Sequence, residues 1–414
     1  MELSQDAAAA APRIRGAKYP GFDGLRAIAA ISVAVTHSTF ISGFNIRNNT
    51  IGPYTARMDI GVAVFFVISG FLLYRPFVLA RLRAVNSPEA VPYFQRRLLR
   101  IFPAFWLVFT VVLVCPWFHG LSWNRPSFSG LVAHYTLTHI YFHQHVLGPV
   151  QQSWTLATEL AFYVFLPLYA FGIRRVGRSA RAQLTSELSG LAVLYMISVA
   201  FRIWAFYGPP QSFNGQYNTW LPARIDLFAL GMLLAVGSAW LQATERAEPA
   251  FVRSVLFPWY CWAIALASFW YLSVGFGLND PSHRGPTPNL SHPQQMWLQF
   301  FWGVTGIFLV APAVFGPQDQ GLIRRFLANR VMQWVGLVSY GIYLWHEAVI
   351  DWYLRLTKPV AFHSSVLRMT AFMVVFTVLF SAISYYVVER PVLRLKDRDI
   401  RSWFRSSPAG RTGR

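Results

Sequence analysis

FDGLRAIAAISVAVTHSTF, residues 22–40, is an apolar run long enough to cross a lipid bilayer, yet it carries the ionisable side chains Asp23, Arg26 and His37. Similar runs recur along all 414 residues, of which 55% are hydrophobic and only 13% are charged. Soluble domains carry about 25% charged residues. The sequence therefore predicts an all-α integral membrane protein.

Ten apolar runs are predicted to span the membrane and to form a transmembrane helix bundle. A further run, 129–147, has weaker hydropathy and is rich in histidine. The ten predicted spans are residues 22–43, 60–80, 100–117, 154–173, 188–207, 221–242, 254–275, 298–315, 334–356 and 368–388.

The positions of the basic residues predict the orientation of the bundle. With ten spans and a cytoplasmic N-terminus, the inner segments hold 25 of the 36 Lys and Arg residues and the outer segments hold 5. This is the bias of the positive-inside rule, and it argues against a nucleic-acid-binding face despite the net charge of +19. Both termini are thus predicted to be cytoplasmic, and 118–153 to be an outer loop or a re-entrant helix.

The chain divides by composition into three parts. Residues 1–21 form a predicted cytoplasmic tail, 22–390 the transmembrane domain, and 391–414 a basic tail at the anionic lipid surface. Two cysteines within apolar runs predict no disulfide framework.

Ionisable groups inside a span are costly and are therefore candidates for function. Arg26 and His37 are eleven residues apart, almost three helical turns, and Asp23 precedes Arg26 by three, so all three share one stripe of the first span. A neutral histidine at that depth can accept a proton from an attacking hydroxyl. A core histidine bonded to a neighbouring helix is the alternative.

Arg97 and Arg100, three residues apart at the start of the third span, share a helix face. They are either lipid-phosphate anchors or a clamp for the phosphates of a nucleotide-bearing donor, because guanidinium binds phosphate bidentately. Glu159, in the fourth span, either orients a catalytic histidine or pairs with Arg224. Arg224 and Asp226 point to different sides of their helix and are expected to meet other helices near the outer side.

The ninth span carries a second polar stripe, formed by Ser339, Tyr343 and His346. His37 and His346, at similar predicted depth, suggest one shared polar cavity, whereas Glu347 lies about 100° round the helix and is expected to have a different partner. Ser69 lacks a nucleophile-elbow pattern and is interpreted as helix packing.

Four histidines precede the fourth span, and they offer a possible metal site. Their spacing is irregular and no carboxylate or cysteine accompanies them, so a solvated cluster in the outer loop is the favoured interpretation and no metal site is predicted. The histidines are His134, His139, His143 and His145.

Seven motifs, in order along the chain, resemble the acyltransferase-3 family of membrane acyltransferases. The similarity extends over residues 19–397, and the order of the motifs makes it specific. They are FDGLRAIAAISVAVTH (22–37), DIGVAVFFVISGFLL (59–73), RRLLRIFPAFW (96–106), SWTLATELAFY (153–163), RIDLFALG (224–231), VSYGIYLWHE (338–347) and YYVVERPVLRL (385–395).

The resemblance implies a ten-span enzyme of the bacterial cytoplasmic membrane that moves an acetyl or other short acyl group from acyl-CoA to a carbohydrate hydroxyl. The acceptor would be a cell-envelope glycan, a glycolipid or a sugar-bearing metabolite such as a macrolide. Acyl-CoA, most simply acetyl-CoA, would be a co-substrate, with no permanently bound cofactor. The last span is followed by about 25 residues, which predicts the form without a fused SGNH domain.

Two sequence patterns of the family match functional candidates in this chain. An arginine followed, after ten intervening residues, by a histidine matches Arg26 and His37, and the R-x-x-R pattern matches Arg97 and Arg100. The predicted catalytic residues are His37, Glu159 and His346. Donor-binding roles are predicted for Asp23, Arg26, Arg97 and Arg100, and acceptor-side or bracing roles for Arg224, Asp226 and Tyr343. Direct transfer and an acyl-histidine intermediate both remain open. A transporter or flippase of a glycan or lipid precursor is the alternative function, since polar groups inside spans suit it too.

Overall fold

The computed structural model describes residues 19–120, 125–146, 148–177, 179–208, 214–285 and 290–395, and these residues contain helices but no strand. Ten of the helices in these ranges have 18 residues or more. They are α1 (Gly21–Ile41), α2 (Gly61–Leu82), α3 (Ala90–Val114), α4 (Trp154–Ile173), α5 (Ala180–Tyr207), α6 (Leu221–Ala243), α7 (Phe257–Val274), α8 (His292–Val314), α9 (Ser339–Thr357) and α10 (Val366–Ser384).

Each predicted span coincides with one of these long helices. Within the described ranges, eight helices are long and apolar enough to cross a membrane, which confirms an all-helical, multi-pass membrane protein. The count of ten spans and the cytoplasmic location of both termini stay predictions. Residues 1–18 and 396–414, most of the two predicted tails, lie outside the described residues.

Several helix boundaries differ from the predicted ones. Helix α3 begins at Ala90 and α5 at Ala180, about three turns and two turns before the apolar runs at 100 and 188. Helical hydrogen bonding continues through basic and polar residues, whereas hydropathy marks only the part that crosses hydrocarbon. The ninth span is interrupted near its start: a short helix, Arg330–Leu337, precedes α9.

The centre of the bundle is the packing of α2 against α6, the most extensive helix pair among the described residues. Glycines permit this close approach. A Cβ added at Gly70 would lie 2.2 Å from the carbonyl oxygen of Phe228, and one at Gly231 would lie 2.0 Å from that of Val67. Small residues at a helix interface let two membrane helices pack backbone to backbone, where van der Waals contact drives association.

Buried ion pairs fix α5 to its neighbours. Glu187 accepts hydrogen bonds from Arg81 and Tyr74 of α2. Near the other end of α5, Arg202 donates to Asp226 of α6 over 2.9 Å. Each charge is neutralised by its partner, which is what permits it inside an apolar bundle, and removing one partner would leave the other buried and uncompensated.

The segment between α3 and α4 contains no membrane-length helix among its described residues: a short helix, Phe128–Tyr135, is followed by 3-10 turns. The prediction of a solvated histidine cluster is wrong for two of its members. His134 and His139 are buried and stack with their ring centroids 4.4 Å apart. His134 also stacks on Phe109 of α3, and His139 meets Ser153 at 3.2 Å. Tertiary packing against α3 and α4 thus removes both rings from water.

Candidate active site

Two histidines from α1 and α9 form the centre of the site. His37 Nδ1 lies 2.8 Å from His346 Nε2, and the two rings are nearly parallel. His346 is fully buried, while the His37 side chain is 26% exposed. The structure brings the two residues, which were predicted to lie at a similar depth, into direct contact. Of the two rings, that of His37 is therefore the more accessible.

The hydrogen bonds fix which nitrogen of each ring carries the proton. His346 Nδ1 lies 2.8 Å from the carbonyl oxygen of Tyr343, which can only accept, so Nδ1 of a neutral His346 carries the proton. His346 Nε2 must then accept from His37 Nδ1–H. In a neutral His37 the remaining nitrogen, Nε2, keeps its lone pair and is the available base.

The carboxylate beside that base is Glu347, not Glu159. Glu347 Oε1 lies 3.5 Å from His37 Nε2, and the backbone of Gln151 and Gln152, in the turn just before α4, favours the charged form of this carboxylate. The expectation that Glu347 has a partner other than His346 is confirmed. When His37 gains a proton at Nε2, this carboxylate stabilises the resulting imidazolium electrostatically.

The start of α4 also positions the α9 backbone. Gln152 Nε2 donates to the carbonyl oxygen of Leu344 at 2.7 Å and contacts that of Tyr343 at 3.3 Å. The Tyr343 hydroxyl lies 2.9 Å from Thr155 Oγ1. Because Tyr343 also provides the carbonyl that orients His346, these contacts hold the histidine pair in a fixed orientation.

A cavity lies among α1, α2, α3, α4 and α9, with about 650 Å³ of empty space that includes its open mouth. Its charged lining consists of Arg26, Arg100 and Glu159, and Ser69 Oγ donates to Glu159 at 2.6 Å. Ser69, interpreted from sequence as helix packing, is thus a polar group of this cavity. Cations on the wall suit an anionic ligand.

The predicted donor-binding residues occupy different positions around this cavity. Arg26 and Arg100 line it, and Arg26 donates to Asp23 at 3.1 Å. Arg97 is not part of the lining: its guanidinium lies over the Tyr93 ring, and its buried Nε has no hydrogen-bond partner among the described residues. Arg26 and Arg100 are therefore brought together, with Arg97 behind them.

Neither histidine lines the cavity. Tyr343 and Phe65 do, and their rings meet edge to face with centroids 5.7 Å apart. The Tyr343 ring centroid also lies 5.9 Å from that of His346. The expectation of one cavity that holds both histidines is therefore not met: this aromatic pair lines the arginine-lined cavity, and Tyr343 also adjoins the histidine pair.

Arg224 and Asp226 each contact another helix, as expected, and both of them reach Gln299 of α8. Arg224 donates to Gln299 of α8 and lies over the rings of Trp154 and Trp302. Asp226 accepts from Gln299 as well as from α5. Glu159 forms its described hydrogen bond with Ser69, so the alternative in which it pairs with Arg224 is not what the structure shows.

Three residues of the site were missed or misjudged from sequence: Glu347, Ser69 and Asp59. Asp59 precedes α2, acts electrostatically on His37, and has a buried oxygen with no hydrogen-bond partner among the described residues. Asp59 is the first residue of the motif at 59–73, which could have marked it as a functional candidate. Helical periodicity, however, cannot show which residue of another helix it faces.

One cluster of three potential metal ligands is found among the described residues. It consists of His37, His346 and Glu347, whose ligand atoms all lie within 4.8 Å of one another. The 2.8 Å distance between the two imidazole nitrogens is that of a hydrogen bond, and a metal ion would have to break it. The prediction of no metal remains a prediction.

Comparison with known proteins agrees with the geometry. A family model described as an acyltransferase domain matches residues 19–386. The putative peptidoglycan O-acetyltransferase YrhL of Bacillus subtilis (strain 168) is 26% identical over 384 residues, covering 90% of this chain and 54% of that protein.

The O-acetyltransferase OatA of Staphylococcus aureus (strain NCTC 8325 / PS 47) is 22% identical, covering 90% of this chain and 57% of its own. The peptidoglycan O-acetyltransferase OatA of Listeria monocytogenes is 22% identical, covering 95% and 60%. The chain thus spans little more than half the length of these relatives, and no solved structure matches it. With the family match extending over most of its length, this chain belongs to the acyltransferase-3 family.

Proposed function

We propose that this chain is a membrane O-acyltransferase that moves an acetyl or other short acyl group from acyl-CoA to a hydroxyl of a cell-envelope glycan, a glycolipid or a sugar-bearing metabolite. The observation that carries the proposal is the histidine pair, which leaves His37 Nε2 as a partly exposed base next to a cavity with a cationic wall. The names of the relatives, all O-acetyltransferases, support the acetyl group.

The donor is assigned to the cavity. Arg26 and Arg100 present guanidinium groups to it, and Arg97 lies on the same face of α3 as Arg100. Phosphates of coenzyme A are the anionic groups that such a wall binds. The orientation predicted by the positive-inside rule places the start of α1 and of α3, and with it this wall, toward the cytoplasm, where acyl-CoA is made.

The chemistry follows from the protonation states. The acceptor hydroxyl oxygen attacks the thioester carbonyl carbon while His37 Nε2 takes the hydroxyl proton. The carbon–sulfur bond then breaks, and the thiolate of coenzyme A leaves and receives that proton from His37. Glu347 and His346 stabilise the imidazolium that exists between the two proton transfers. In a two-step variant, His37 Nε2 itself attacks and carries the acyl group before the hydroxyl does.

The test is acyl transfer in membrane vesicles that contain the full chain, with radiolabelled acetyl-CoA and peptidoglycan fragments as probes. A positioned base typically contributes about 10²–10⁴-fold in rate, so His37→Ala should lose nearly all transfer while still inserting. His363→Ala, at an exposed histidine, is the matched control.

Transfer of label by the wild type and by His363→Ala, but not by His37→Ala, supports the proposal. Wild-type vesicles that release no label from acetyl-CoA, or His37→Ala vesicles that transfer at the wild-type rate, overturn it. Translocation of an unmodified glycan or lipid precursor across these vesicles, without acylation, is the outcome that the transporter alternative predicts.

A further inference from the structure

The aromatic pair of Tyr343 and Phe65 on the cavity wall has one ring held by hydrogen bonds and one held by packing alone. The Tyr343 ring is held because its hydroxyl lies 2.9 Å from Thr155 Oγ1 and donates to the Gln152 carbonyl oxygen at 3.3 Å. Tyr343 is 4% exposed and Thr155 6%, so both lie in the packed interior. Rotating this ring would break its hydrogen bonds with Thr155 and Gln152 and leave buried polar groups without partners, which is costly.

Phe65 is held by packing alone. Its side chain cannot hydrogen-bond, it is only partly buried, and it lies against Tyr343 and the buried cluster of Ala30, Val338 and Ile342. Val62, Phe65 and Ser69 follow one another at intervals of three and four residues on α2, and all three line the cavity. The Phe65 ring therefore stands on the cavity wall of α2, at the point where the cavity approaches the histidine pair.

On the proposed path, an acyl group that enters the arginine-lined cavity passes this pair on its way to His37, because Tyr343 both lines the cavity and adjoins His346. Ring centroids 5.7 Å apart are in contact, so the passage opens only when one ring turns aside. A two-carbon acyl group needs a small displacement of Phe65, and each additional methylene needs a larger one. Cores resist such displacement because they are close-packed.

We propose that Phe65 is the residue that limits the length of the transferred acyl chain, with Tyr343 as the fixed wall against which it closes. This inference rests on the proposed function, because it assumes that an acyl donor occupies the cavity. The substrate class it names is acyl thioesters with short, unbranched chains. Removing the ring widens the passage and admits longer chains, whereas the acceptor side of the histidine pair is untouched.

The test compares acetyl-, butyryl- and hexanoyl-CoA as donors in membranes containing wild type, Phe65→Leu or Phe65→Ala. The readout is kcat/KM for each donor, from release of the free coenzyme A thiol, after subtraction of membranes with His37→Ala. One methylene in an apolar pocket changes discrimination by about 10–200-fold. The hexanoyl-to-acetyl ratio should therefore rise at least tenfold in Phe65→Ala and by a smaller factor in Phe65→Leu.

Leu73→Ala is the matched control, since it removes a buried apolar side chain from the same helix outside the cavity lining. Its ratio should stay at the wild-type value, which separates selectivity from loss of packing. Acetyl transfer by the wild type with an unchanged ratio in both Phe65 variants overturns the inference alone. An equal rise in Leu73→Ala also overturns it. Absence of transfer from every donor in the wild type overturns the proposed function, and the inference with it.

Discussion

Replacing His346 by leucine tests the proton arrangement at the centre of the site. The imidazole of His346 accepts from His37 Nδ1 over 2.8 Å and is itself oriented by the Tyr343 carbonyl. Leucine fills a similar volume but offers no acceptor. His37 Nδ1–H would then lose its described hydrogen-bond acceptor. The tautomer of His37 with the proton on Nδ1 and a free lone pair on Nε2 would no longer be favoured.

The size of the effect follows from that lost hydrogen bond. A buried donor left without an acceptor costs about 1–3 kcal/mol. The bond is stronger when His37 is an imidazolium, so most of this cost falls on the transition state. Since about 1.4 kcal/mol corresponds to tenfold in rate, kcat should fall by about 5- to 150-fold. The KM for acetyl-CoA should change little, because His346 does not line the donor cavity.

The assay is steady-state acetyl transfer by purified protein in lipid nanodiscs. His346→Gln places a side-chain oxygen near the lost acceptor and should recover part of kcat. Trp345→Phe serves as the control: it removes a buried hydrogen bond of the same helix, which Trp345 donates to Ser384 of α10, and should lower stability without a selective loss of kcat. A folded His346→Leu protein with kcat within twofold of wild type would refute the role of His346 in orienting His37.

Three further predictions concern other parts of the structure. Ser69→Ala should raise the KM for acetyl-CoA several-fold with little change in kcat. Without the hydrogen bond from Ser69, the Glu159 carboxylate competes with the phosphates of acetyl-CoA for Arg26 and Arg100. An unchanged KM contradicts this. Glu187→Gln should destabilise the protein by about 3–5 kcal/mol, because Arg81 stays buried with its charge unpaired. The measurement is the melting temperature in detergent, which should be lower than that of the wild type. Equal melting temperatures contradict the prediction. Burial lowers the pKa of His134 to about 4 and that of His139 to about 3. Below pH 6.5 the unfolded chain therefore binds more protons than the folded protein. The free energy of unfolding should fall by about 1.4 kcal/mol per pH unit for each histidine between pH 6.5 and 4. Melting curves measure this slope, and His139→Asn should reduce it.

The amino-acid sequence was sufficient for the helices and for one face of each. Apolar runs of about 20 residues have to form helices in a bilayer, because no water is present to satisfy the backbone, and each predicted span is found as a helix. The spacing of Asp23, Arg26 and His37 correctly predicted one stripe, since helical periodicity depends only on local geometry. The two extra turns of α5, in contrast, carry too little apolar character for hydropathy to detect them.

Which faces meet was decided by the tertiary structure alone. His37 and His346 are 309 residues apart in the chain, and periodicity cannot say that their rings touch. The same limit explains why Glu347 rather than Glu159 lies beside His37, and why Ser69 became a cavity group. A repeat of 3.6 residues fixes directions around one helix axis, but the rotation and tilt of one helix against the next follow from packing over the whole bundle, where contacts such as those of Gly70 and Gly231 set the distances.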